Sequence, residues 1–130
     1  MKKLSFVASL SLVLSLLSVA PAGADPIEIV APLDSVCLQE GAIVGTDGDD
    51  VLEGTEGDDV ICGGAGNDVI TGSNGNDIII GGLGNDTLSG EVGDDQLVGS
   101  VGDDVLGGGS GADNVWGGDG ADDLSGDGEA

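Results

Sequence analysis

The sequence predicts an all-β fold made by stacking short, similar units, and three observations carry that expectation. From Gly45 to Ser125 the chain divides without remainder into nine consecutive nonapeptides, each with glycine at positions 1 and 4. Position 8 is aliphatic throughout, at Leu52, Ile61, Ile70, Ile79, Leu88, Leu97, Leu106, Val115 and Leu124. Position 6 is aspartate throughout, at Asp50, Asp59, Asp68, Asp77, Asp86, Asp95, Asp104, Asp113 and Asp122. A fixed period of this kind marks a repeat architecture, in which no unit can bury its apolar residue alone and each does so against its neighbours. Glycine permits positive φ and close approach of backbones. The first six residues of a unit therefore suit a tight turn and the last three a short strand, with position 8 inward and positions 7 and 9 outward.

At Gly63-Gly64-Ala65-Gly66-Asn67-Asp68-Val69-Ile70-Thr71 and Gly81-Gly82-Leu83-Gly84-Asn85-Asp86-Thr87-Leu88-Ser89 the sequence reproduces the pattern G-G-x-G-x-D-x-U-x in full. In this the chain resembles the hemolysin-type calcium-binding (RTX) repeat family. It departs from the family most at position 2, where glycine is replaced by Thr46, Thr55, Ser73, Glu91 and Ser100. The resemblance implies a right-handed parallel β-roll, a β-solenoid of nine nonapeptide repeats with two repeats per coil, whose two parallel sheets face each other across the position 8 side chains.

Taken in order, Met1 to Ala24 reads as a signal peptide: Lys2 and Lys3, an apolar and serine-rich run from Leu4 to Ala20, then small residues at Ala22 and Ala24 before Asp25. No other apolar stretch has the length of a membrane span. Residues 25–44 read as an N-terminal cap, with Ile43 at position 8 of an incomplete unit, so the first strand is expected before the first glycine turn. The repeat domain follows over 45–125, and residues 126–130 begin a further, partial unit. A leader of this type, together with an end soon after the repeats, leads us to expect export by the general secretory route and a secreted, extracellular protein.

Charge narrows the function. The chain has 25 acidic residues against two basic ones and no histidine, and both lysines lie in the expected leader. A mature chain with no cationic side chain repels nucleic acid and anionic lipid, so what completes it must be a cation. Disorder is the ordinary reading of an acidic, glycine-rich chain, but disorder gives no reason to place an aspartate every ninth residue between a glycine turn and an aliphatic. Carboxylates and turn carbonyls are hard oxygen ligands, which select calcium over zinc or copper. The resemblance implies ions lying between turns one coil apart, shared by Asp50 with Asp68, Asp59 with Asp77, Asp68 with Asp86, Asp77 with Asp95, Asp86 with Asp104, Asp95 with Asp113 and Asp104 with Asp122. Position 5 varies among Asp, Asn and Ala, so it tunes the local field and is no obligatory ligand. The EF-hand spacing is absent.

Cys37 and Cys62 are the two cysteines, and an even count in an exported chain favours a disulfide tying the cap to the repeat face. If alternate units fall on alternate sheets, position 9 places Cys62, Ile80, Val98 and Trp116 in one apolar column and Glu53, Thr71, Ser89, Gly107 and Ser125 in a polar one. Two readings of the apolar column stand. Either Ile27 to Val30 and Val36 to Leu38 cover part of it, or Ile80, Val98 and Trp116 form a docking surface for a protein or cell-surface partner.

An enzyme is not expected. The mature chain has no His, Lys, Arg or Tyr to activate a nucleophile or stabilise an anion, and its carboxylates are taken up by the turns. Position 3 has no repeating threonine of the kind an ice-binding array needs. The expected function is a secreted calcium-binding structural or interaction module that folds on binding Ca2+, with a calcium-dependent adhesion or cell-surface binding module as the alternative.

Overall fold

A computed structural model describes residues 35–126; the expected leader, cap residues 25–34 and the last four residues lie outside them. Strands follow one another at the period of the sequence: β1 (Ile43–Val44), β2 (Val51–Glu53), β3 (Val60–Ala65), β4 (Val69–Asn74), β5 (Ile78–Leu83), β6 (Thr87–Val92), β7 (Gln96–Val101), β8 (Val105–Ser110), β9 (Asn114–Asp119) and β10 (Asp123–Ser125). Odd and even strands separate into two five-stranded parallel sheets, β1-β3-β5-β7-β9 and β2-β4-β6-β8-β10. This is a parallel β-solenoid of about five turns, consistent with a β-roll. Register advances by two periods, pairing Ile61 with Ile79 and Ile70 with Leu88. Like therefore stacks on like along each sheet.

The core is one layer thick. Ile61, Ile79 and Leu97 from one sheet meet Ile70, Leu88 and Leu106 from the other, all at most 1% exposed, with Ile43, Leu52 and Val115 partly buried around them. Leu124, on the edge strand β10, is half-exposed. Such a core depends on aliphatic residues at every ninth position, since a polar side chain there would face the opposite sheet with no hydrogen-bond partner.

Two local expectations are corrected. From β3 to β9 the strands are six residues long, covering positions 7 to 9 of one unit and 1 to 3 of the next. Only positions 4 to 6 remain as the turn. The division of glycine's work also differs from that expected. Positive φ falls at positions 2 and 4, as at Gly82 (119°) and Gly84 (121°), whereas position 1 needs the space a Cβ would occupy. Beyond the first coil, where position 2 is not glycine, Ser73, Glu91 and Ser100 adopt φ of 88°, 79° and 91°. Stacked backbones on either side hold them there, at a cost an L residue ordinarily avoids.

Candidate metal centre

The position 6 aspartates sit where each turn re-enters a strand, and their backbones are latched to the coil above. The carbonyl of Asp68 accepts the amide of Thr87 at 2.8 Å, and that of Asp86 accepts the amide of Val105 at 2.8 Å. Their amides donate in the same direction, to the Oδ1 of the aspartate eighteen residues on. Asp50 donates to Asp68, Asp59 to Asp77, Asp68 to Asp86, Asp77 to Asp95 and Asp86 to Asp104, each at 2.8 Å. Asp95 donates to Asp113 at 3.0 Å and Asp104 to Asp122 at 3.1 Å. All seven pairs expected from the repeat are thus brought together, each through an amide-to-carboxylate hydrogen bond.

The second carboxylate oxygen is the unusual one. Asp68, Asp77, Asp86, Asp95 and Asp104 are at most 1% exposed, and the Oδ2 of each is buried without a hydrogen-bond partner. It lies against the position 1 glycine of its own unit. A Cβ at Gly63 would overlap both Asp68 Oδ2 and the carbonyl oxygen of Gly81, and a Cβ at Gly81 would overlap Asp86 Oδ2 and approach the carbonyl oxygen of Gly99. The same cradle recurs at Gly72, Gly90 and Gly99.

A buried, unmatched carboxylate oxygen is costly, and no cationic side chain offsets it among the described residues, since Lys2 and Lys3 lie outside them. Desolvation raises the pKa of Asp77, Asp86 and Asp95 above the ordinary 3.8; the amide bond each accepts opposes the rise, and neighbouring carboxylates add to it. These orphaned oxygens, facing glycine carbonyls in a cradle that excludes side chains, fit a hard divalent cation. No three acidic, His or Cys side chains converge on one point among the described residues, so a cation here would need backbone carbonyls to complete its shell.

Sequence reasoning missed a second ladder at position 5, which runs the other way. The amide of each position 5 residue donates to the side-chain Oδ1 of its counterpart eighteen residues earlier: Asn67 to Asp49, Asn85 to Asn67 and Asp103 to Asn85, at 2.8 to 2.9 Å. Asn and Asp serve equally because both present an Oδ1. The last two members, Ala112 and Ala121, donate to Asp94 and Asp103 at 2.9 Å and offer no acceptor themselves. That alanine appears only in these last two units was the signal that could have revealed the ladder.

The first coil differs from the rest. Asp50 Oδ2 accepts from the Thr46 amide (2.6 Å) and hydroxyl (2.9 Å), and Asp59 Oδ2 from the Thr55 amide (2.5 Å) and hydroxyl (2.9 Å). The aspartates of the last coil, Asp113 and Asp122, are half-buried.

Cys37 and Cys62 form the expected disulfide. The apolar column is closed near it, with Cys62 and Ile80 only 4% and 8% exposed, and opens toward Trp116, at 56%. Ile80, although at an outward position of the repeat, is therefore not part of a free docking surface. Of the residues expected to cover the column, Val36 to Leu38 are described, whereas Ile27 to Val30 lie outside the described residues. No described helix is long and apolar enough to cross a membrane.

Compared with known families, the chain matches the model of the RTX calcium-binding nonapeptide repeat, in four copies over residues 42–70, 71–106 and 98–130. No curated protein matches it.

Proposed function

This chain belongs to the RTX calcium-binding nonapeptide repeat family, whose repeats bind Ca2+, and on that premise we propose that it is a secreted, non-catalytic module whose fold is assembled by calcium. Asp68, Asp77, Asp86, Asp95 and Asp104 would hold the ions through their unpartnered Oδ2 atoms, together with carbonyl oxygens of the stacked glycine turns. Asp113 and Asp122 would supply the matching carboxylates of the last coil. Bound calcium supplies positive charge where the chain has none. The protein's own part is to stack the carboxylates in register, exclude water from them and present carbonyls beside them.

The observation that carries this reading is the row of five buried carboxylate oxygens with no partner. Binding that requires the stacked turns is also folding free energy, because the unfolded chain has no such sites. The disulfide suits an oxidising compartment and so supports export. In this reading residues 1–24 are the leader, 25–44 the cap and 45–125 the repeat domain. Trp116, exposed at the open end of its column, favours a second role as a calcium-dependent adhesion or cell-surface contact. Equilibrium dialysis against calcium, magnesium and zinc tests the metal assignment. Saturable binding of several calcium ions, undisturbed by equimolar magnesium, is expected; preferential zinc binding would refute it.

A further inference from the structure

The reading of the buried turns as calcium sites does not extend to the first coil, and resting on that reading we propose that Thr46 and Thr55 terminate the cation array there. They hold Asp50 and Asp59 by hydrogen bonds in the place a cation takes deeper in the stack. Each of these carboxylates has its Oδ2 satisfied twice by one threonine, through amide and hydroxyl. The equivalent oxygen of the next five aspartates has no partner.

A hydroxyl at position 2 is not enough to produce this. Ser73 and Ser100 occupy position 2 of the units containing Asp77 and Asp104, yet both of those Oδ2 atoms are orphaned. The difference lies in the backbone. Ser73 and Ser100 take the positive φ of the family's glycine, whereas Thr46 and Thr55 do not, as expected of a β-branched residue for which that region is a steric outlier. In the threonine conformation the amide turns toward its own unit's aspartate. The hydroxyl is fixed there as well, accepting the amide of Gly48 in one turn and of Gly57 in the other, both at 3.2 Å.

Position 6 amides donate toward higher residue numbers, so Asp50 and Asp59 have no earlier aspartate amide to accept. The threonine donors reach the other oxygen, Oδ2, the one that is orphaned deeper in the stack. Both Oδ2 atoms of the first coil are thereby satisfied without metal, at the end of the solenoid where the Cys37 to Cys62 disulfide also anchors the chain. It serves as a calcium-independent platform on which the metal-dependent coils stack.

Ion counting by native mass spectrometry on the full exported chain at saturating calcium tests this. The Asp50→Asn plus Asp59→Asn variant should bind the same number of ions as the unsubstituted chain. Thr46→Gly plus Thr55→Gly, which frees both carboxylates and restores the family's glycine, should bind more. A lower count in the first variant, or an unchanged count in the second, would overturn the inference and leave calcium binding standing. An unsubstituted chain that bound no calcium would instead overturn the reading on which the inference rests.

Discussion

The amide of Asp68 donates to Oδ1 of Asp86, eighteen residues further along the chain, at 2.8 Å, while Asp86 Oδ2 is buried and unpartnered. One carboxylate thus does two things. Its first oxygen bonds two coils in register, and its second is the one that, in the proposed function, takes a cation.

That sharing separates the middle of the stack from its end. Asp86→Ala removes the acceptor for the Asp68 amide and an orphaned oxygen, affecting two neighbouring coils, whereas Asp122→Ala touches a single terminal pair. The calcium midpoint of folding, followed by circular dichroism, should rise more for Asp86→Ala. Equal midpoints would count against shared, stacked sites.

The position 5 ladder makes a different prediction, because it is exposed and holds no orphaned oxygen. Asn85→Ala leaves the Asp103 amide without its acceptor and should cost about 0.5 to 1.5 kcal/mol in urea unfolding at saturating calcium. Asn85→Asp, which keeps an Oδ1, should cost less. An alanine variant as stable as the parent would show that water replaces the bond at no cost.

Position 2 carries strain that a substitution can release. Glu91 sits at φ 79°, so Glu91→Gly should stabilise the calcium-loaded chain by about 1 kcal/mol, the loss of its exposed bond from Ser89 being minor. Ser73→Gly, at φ 88°, should gain by a similar amount. No gain in either variant would contradict a strained position 2.

Removing the disulfide by Cys37→Ser plus Cys62→Ser opens a loop with a sequence separation of 25. The loss should be roughly 2 to 4 kcal/mol in the chain-entropy account. The calcium midpoint should move upward because folding and binding are linked, with the ion count at saturation unchanged. A reduced count would mean that the cap shapes a metal site.

Much of this was legible in the sequence because the solenoid translates sequence distance directly into spatial distance. The inward row from Ile61 to Leu106 follows from the period, and the aspartate pairs eighteen residues apart follow once the family resemblance sets two units to a coil. What escaped were interactions between a side chain and a backbone amide. The period says that Asn85 lies over Asn67 but not that an amide of one faces the oxygen of the other. Six-residue strands escaped for a related reason: a positive φ at Gly82 reads as a turn, yet Gly82 and Leu83 stay paired with Ser100 and Val101. Alternation placed Ile80 on the outward face, but the period carries no information on its burial, at 8% exposed.

The central claim is that calcium assembles the fold, and small-angle scattering with far-ultraviolet circular dichroism on the exported chain, first in chelator and then through a calcium titration, tests it most directly. An expanded chain with little β signal is predicted in chelator, becoming compact and β-rich in one cooperative transition, with a midpoint in the range of extracellular calcium modules, about 0.1 to 1 mM. A chain already compact and β-rich in chelator would contradict it.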